Sequence, residues 1–234
     1  PPARFQNCYL DALGIDEGEK SHNFGVALNT RVDALDADFG VYAISYRDPG
    51  QIIETNTATG TYRLVVPKEP VRALGVSLSR LVGIANIGVE LSIRDRQPLA
   101  VKEAVVTSAD PTYVTGRTAH LNLATTMVLA PNAFWESASL VGELAVNNVL
   151  EHEDVRTKVG GRWGPPGVPK INLDRKRTSS GMRVIFTPTW YQIVPGVDLS
   201  VPINFGWSFS GLSVIDSGFP FSGSPNRGGE IIFG

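Results

Sequence analysis

The chain is poor in the residues that carry redox and metal chemistry. In 234 residues it holds one cysteine, Cys8, two methionines and three histidines, His22, His120 and His152. One thiol can form neither an internal disulfide framework nor a cysteine-based zinc site. No stretch approaches the ~18 consecutive apolar residues of a transmembrane helix. Neither sign of charge dominates, with Lys plus Arg at 21 and Asp plus Glu at 23. That balance removes the basic surplus that would attract nucleic acid, and there is no acidic tail. A nucleophile elbow, a phosphate-binding loop, a dinucleotide fingerprint and a His-Glu-x-x-His helix are all missing. Catalysis, cofactor binding and a metal centre therefore have no sequence support. The chain opens Pro-Pro, with neither Met nor a secretory leader, as a mature, trimmed or partial protein does.

What is abundant is glycine (24) and proline (16), the residues of turns, together with a two-residue rhythm. In residues 197–209 the odd positions Val197, Leu199, Val201, Ile203, Phe205, Trp207 and Phe209 are all large and apolar, and the even ones small or polar. Side chains alternate faces along a strand, so one face of this segment is apolar and the other wet. At thirteen residues it exceeds a typical soluble strand of ~5–6; a tilted strand crossing a bilayer needs about 9–11.

Eight further segments carry related patterns: residues 23–35, 39–47, 71–82, 84–94, 117–129, 138–149, 182–193 and the start of another at 230–233. In residues 39–47 both faces are apolar, and Tyr42, Ile44 and Tyr46 are expected to join the apolar side. Pro188 and Pro202 fall inside strand patterns, where a missing donor predicts an irregularity such as a bulge. Connections after the odd-numbered segments are short, and those after the even-numbered ones are long, near residues 48–62, 95–116, 150–180 and 210–228. Outer-membrane barrels have short periplasmic turns and long extracellular loops. The expected fold is thus all-β, an antiparallel up-and-down transmembrane β-barrel, with residues 1–234 forming one domain of about eight full strands plus the start of a ninth. That unfinished ninth strand marks the domain as a fragment of a larger barrel.

In such a barrel the lipid-facing residues include Leu91, Leu123, Leu144, Phe205 and Trp207. The lumen-lining candidates are Asn29, Arg31, Asp33, Glu90, Arg94, His120, Asn122, Glu143, Asn147, Asp198 and Asn204. They carry both signs of charge, which argues against a strongly ion-selective pore, and they also suit simple cross-strand pairing. Trp135 and Tyr191 near the short turns, with Tyr46, Trp207 and Phe209 near the long loops, are placed to form two interfacial belts.

Two charged clusters lie in the longest connection. Glu151-His152-Glu153-Asp154 reads as a solvated loop, since adjacent residues rarely converge on one ion. Lys170, Arg175, Lys176 and Arg177 suit a solvated loop better than a lipopolysaccharide contact. His120 on a wet face is the one residue that a surface hydrolase could use, and no serine is marked out to partner it.

Residues 24–46 (Phe-Gly-Val-Ala-Leu-Asn-Thr-Arg-Val-Asp through Ile-Ser-Tyr), Arg72-Ala73-Leu74-Gly75-Val76-Ser77 with residues 94–99, Val141-Gly142-Glu143-Leu144 and Val194-Pro195-Gly196-Val197-Asp198-Leu199 resemble, in order, the domain-of-unknown-function 1302 family. Its members are outer-membrane β-barrel proteins of proteobacteria. The resemblance covers nearly the whole chain and is to an internal portion of a longer barrel. It implies an outer-membrane location, contact with outer-membrane lipid and lipopolysaccharide, and partnership with an inner-membrane exporter and a periplasmic carrier. It supplies no catalytic residues and no cofactor. The function so implied is a passive, porin-like channel for hydrophobic or amphipathic compounds through a loop-capped lumen. The alternatives are a structural or adhesive barrel with a closed lumen, or a soluble β-sandwich binding protein with the apolar faces turned inward.

Overall fold

The computed structural model describes residues 11–16, 23–50, 52–56, 61–67, 69–99, 114–152, 158–159, 162–163, 177–210, 213–215 and 228–233. Among these there is no α-helix. One large sheet holds β1 (Phe24–Val32), β2 (Ala37–Tyr46), β3 (Val71–Val82), β4 (Ala85–Leu99), β5 (Val114–Leu129), β6 (Ser137–His152), β7 (Thr178–Val194), β8 (Val197–Ser200), β9 (Ile203–Ser208) and β10 (Gly228–Phe233). Each strand pairs antiparallel with the next in chain order, and β8 and β9 both lie against β7 as halves of one interrupted strand. The row therefore has nine places, up and down. Among the described residues it is open: β1 and β10 are each paired on one side only.

The alternation foreseen from the sequence sets the faces. Directly opposed residues of an antiparallel pair share a face. Leu74 lies opposite Ile93, Val76 opposite Leu91, Leu91 opposite Leu121 and Leu123 opposite Leu144, which carries one apolar surface across β3 to β6. The exposures are inverted relative to a soluble sheet. Phe24, Val26 and Leu28 are 70–72% exposed on the apolar face, whereas Ser92, Thr118, His120 and Asn147 on the polar face are buried.

Short connections sit at one end. Gly83 (φ +60) starts the two-residue turn between Val82 and Ala85, the position where a Gly-first hairpin turn needs a left-handed residue. Pro195-Gly196, with Gly196 at φ +82, joins Val194 to Val197, the Pro-then-Gly order of a type II turn. Asp33–Leu35 forms a 3-10 turn between β1 and β2.

Several expected boundaries move. β4 extends to Leu99 and β5 begins at Val114, so the second long connection shrinks to residues 100–113. β6 and β7 lengthen likewise, to His152 and from Thr178. The connection expected over 48–62 contains Ile52–Asn56, which pairs with Thr61–Val65, itself parallel to Asp11–Asp16. Lys158–Val159 and Arg162–Trp163 pair within the longest connection.

The register of β2 corrects the sequence reading. Tyr42 lies opposite Ala27 and Gly75, and Ile44 opposite Gly25 and Ala73, so Tyr42, Ile44 and Tyr46 stand on the polar face with Asn29. Small neighbours decide this. Gly25, Gly75 and Ala73 leave room on that face for bulky side chains, while Val41 and Phe39 match Leu28 and Thr30 on the other. Tyr46 is accordingly no member of an outer aromatic belt.

The two prolines cost less than expected. Val201 donates its backbone N–H to Pro188 O at 3.1 Å, so the side of Pro188 that lacks a donor faces β8 and β9. The twelve-residue register of β7 with β6 runs through Pro188 unbroken. The pairing sum stays constant from Phe186 opposite Ile203 to Thr189 opposite Ser200; Val201-Pro202 interrupts the strand without shifting it. The shift lies instead between Trp190 and Val194, where Gln192 has φ +48.

Candidate functional site

The polar face is densest just below two bulges. In β4 the register shifts between Arg94 and Gln97, with Arg96 at φ +59. In the β5–β6 pair it shifts between Arg117 and Thr118. Bulges re-aim side chains at sheet rims. Here they send Gln97 to the buried side, where its amide donates to Asp48 Oδ2 at 2.8 Å. Above them Arg117 bridges Asp95 (3.7 Å) and Glu151 (3.6 Å).

Beneath this rim, Thr118, His120 and Asn147 form a closed buried triad. His120 Nδ1 lies 2.8 Å from Asn147 Oδ1, and His120 Nε2 2.9 Å from Thr118 Oγ1. Oδ1 can only accept, so Nδ1 carries the proton and Nε2 accepts the threonine hydroxyl. Both ring nitrogens are thereby committed. In this arrangement neither ring nitrogen is open toward a serine hydroxyl.

Toward β2 the cluster opens. Tyr42 lies over Gly75, where any Cβ would overlap its ring, and donates to Glu90 Oε1 at 2.7 Å. Arg94, opposite Ala73 and Thr118, is close enough to act electrostatically on Tyr42, Tyr46 and His120, and the Asp48 carboxylate acts on Tyr46 as well. Among the described residues no carboxylate is within ion-pair distance of Arg94.

The remaining expected lumen residues are dispersed. Asn29 and Arg31 share the polar face of β1, and Arg31 pairs with Asp36 and, at 3.6 Å, with Asp38. Asp33 stands in the exposed 3-10 turn rather than on a strand, 4.0 Å from Arg31. Asn122 is opposite Glu90 and Ala145, and Glu143 opposite Ala124 and Arg183. Asn204 accepts from Arg183 at 3.4 Å. Asp198 accepts the Gln192 backbone N–H at 2.8 Å and so braces the bulge beside the Pro195-Gly196 turn. Leu91, Leu123, Leu144, Phe205 and Trp207 all take the apolar face. Phe205 and Trp207 stack there at 6.3 Å.

Sequence reasoning missed Tyr42, Tyr46, Thr118, Gln97 and Asp48 as members of the polar cluster. Gly75 opposite Tyr42 was the one available signal, a gap for a ring. At the short-turn end, Trp135 meets Phe186 edge-on at 5.2 Å and Trp190 Nε1 donates to Phe134 O at 2.9 Å, adding three aromatics to the two foreseen there. His22, Lys170, Arg175, Lys176, Glu153, Asp154 and Cys8 lie outside the described residues. The Arg177 carbonyl accepts the Val149 N–H at 2.9 Å. Among the described residues no group of three or more His, Cys, Asp or Glu is placed to hold a metal ion.

No curated protein and no solved structure matches the chain. Residues 3–228 match one protein family, described as a protein of unknown function (DUF1302).

Proposed function

The chain belongs to the DUF1302 family, and from that membership and the inverted faces of its sheet we propose that it forms part of the wall of an outer-membrane β-barrel that passes hydrophobic or amphipathic small molecules. One observation carries the reading: the large apolar side chains lie on the uncovered face, and the hydrogen-bonded polar groups on the buried one. Water rarely meets contiguous apolar patches beyond a few hundred Å² on a soluble protein; lipid is the solvent that suits such a face. Phe24, Val26 and Leu28 stay exposed on it, whereas a soluble sandwich packs a second sheet against such a face.

The dimensions agree. Trp135 adjoins the start of β6, and Phe209, whose N–H bonds Ser180 O, stands level with Val146. The eight residue steps from Ala138 to Val146 span about 27 Å along a strand. Tilted by ~35–45°, they cover roughly 20 Å of height, near the ~25 Å apolar band between the aromatic girdles of outer-membrane barrels. In this reading the short turns are periplasmic, the long connections meet lipopolysaccharide, and the polar face lines the passage. Solute then moves passively, supplied from the inner membrane by an exporter or a periplasmic carrier.

Reconstitution in vesicles tests this. The chain is expected to require detergent or lipid for solubility and to raise the uptake of a hydrophobic fluorophore over protein-free vesicles. A chain that is monomeric and folded without either, or vesicles with unchanged uptake, would count against it.

A further inference from the structure

Turns are normally built from glycine, proline, asparagine, aspartate and serine. Each of the four short turns here also carries a large apolar side chain in the open. Leu35, Ile84, Phe134 and Val194 are 52–76% exposed. They belong to four successive hairpins, β1–β2, β3–β4, β5–β6 and β7–β8. Neighbouring tips are two strand spacings apart, about 10 Å, so the four make a row of roughly 30 Å along one end of the sheet.

Local hydrogen bonds fix these tips. Asn132 Oδ1 accepts the Phe134 N–H at 2.7 Å, and the Trp135 indole donates to Ala130 O at 3.1 Å. Trp135 thereby turns onto Phe186 and Phe134 is left outside. In the first turn Asp36, in the left-handed region, donates its N–H to Asp33 O at 3.1 Å. Carboxylates edge the row. Across residues 31–38, 80–85, 130–137 and 190–199, Asp33, Asp36, Asp38, Glu136 and Asp198 outnumber Arg31 and Arg80, and there is no lysine. The whole chain has a formal net charge of only -2, so negative charge is concentrated at this end. Glu136 and Asp198 each accept one backbone N–H, from Tyr191 and Gln192. An ionised carboxylate offers about four lone-pair sites, so both keep acceptor capacity.

Resting on the reading that places the short turns in the periplasm, we infer that this end of the sheet docks a periplasmic protein whose apolar contact surface is rimmed by lysine and arginine. The row suits that chemistry on two counts. Covering the four apolar tips supplies the non-directional attraction, and opposite charge at the rim sets orientation and speeds encounter. A lipid surface suits it less. Membrane interfaces select Trp, Tyr, Lys and Arg, and an anionic leaflet repels carboxylates.

The test is fluorescence anisotropy of a labelled helical peptide against the full chain in phosphatidylcholine nanodiscs, with empty nanodiscs subtracted. A peptide of ~14 residues is about 21 Å long and reaches across three tips. One version carries leucine on one face and lysine on the other; a second replaces every lysine by glutamate. The lysine version is expected to bind about tenfold or more tighter than the glutamate version. Raising salt from about 0.1 M to about 1 M should weaken it severalfold, as the Debye length falls from ~10 to ~3 Å. Ile84→Ser and Phe134→Ser should each weaken it about fivefold or more, and Asp33→Asn about twofold. Leu35→Ser and Val194→Ser carry the test where either of the first two does not fold. Leu150→Ser, exposed at the opposite end of β6, should leave binding unchanged. Equal binding of the two peptides, or binding that survives the serine substitutions, overturns the proposal. So does a lipid role for the tips, seen as serine variants that bind peptide as before but associate less with phosphatidylcholine vesicles. Absent peptide binding with intact uptake of the hydrophobic fluorophore overturns the docking surface alone. A chain that is folded and monomeric without detergent or lipid overturns the reading on which it rests.

Discussion

Tyr42 crosses above Gly75 to donate to Glu90 at 2.7 Å, so that one hydrogen bond joins the second strand to the fourth over the back of the third. The arrangement needs a residue without Cβ in the middle and a carboxylate at the far side. It fixes the register of β2 more firmly than the weak alternation of that strand does.

Gly75→Ala is therefore expected to cost about 1–3 kcal/mol, the usual penalty for overpacking a filled site. In a Tyr42→Ala background the same change should cost less than 1 kcal/mol, because the ring is gone. Urea unfolding in vesicles, followed by tryptophan fluorescence, measures both and the coupling between them.

His120→Ala should destabilise the chain by about 2–3 kcal/mol, since it strands the Asn147 carbonyl and the Thr118 hydroxyl in a buried position. It should leave any ester hydrolysis by the purified chain at background level before and after substitution. Activity that is present in the wild type and lost in His120→Ala would restore a catalytic role.

Leu123 and Asn122 are adjacent in sequence and on opposite faces. Leu123→Arg should cost about 2–4 kcal/mol at the bilayer midplane, and Asn122→Arg much less. Equal penalties from unfolding titrations in lipid would contradict the assignment of the two faces.

Pro188→Ala restores a donor opposite the Val201 carbonyl. The change should be neutral or stabilising by up to about 1 kcal/mol, and hydrogen exchange should find the new amide protected. A rapidly exchanging amide there would mean that β8 and β9 do not hold the register described.

Where the sequence alternated cleanly, as in Leu74-Gly75-Val76-Ser77-Leu78 or Leu121-Asn122-Leu123, the faces were legible, because a period of two leaves one solution. In β2 it did not alternate, and the deciding facts were glycines on neighbouring strands, which no reading of β2 alone contains. Arg94, His120 and Asn147 were legible one at a time as wet-face residues. Their assembly into one cluster was not, since it depends on registers between strands and on bulges that a pattern of apolar residues does not encode. Pro202 marked an interruption correctly, but its cost depends on which neighbour its nitrogen faces, and that follows only from the Val201 bond to Pro188.

The open row has a parity. Its first and ninth places, β1 and β10, run in the same direction, because eight reversals separate them. The two free edges cannot zip together antiparallel; joined directly they would make a parallel seam. An all-antiparallel ring that includes this sheet needs an odd number of further strands between those edges. Among the described residues each edge offers an unpaired ladder of backbone donors and acceptors to any extended segment that arrives.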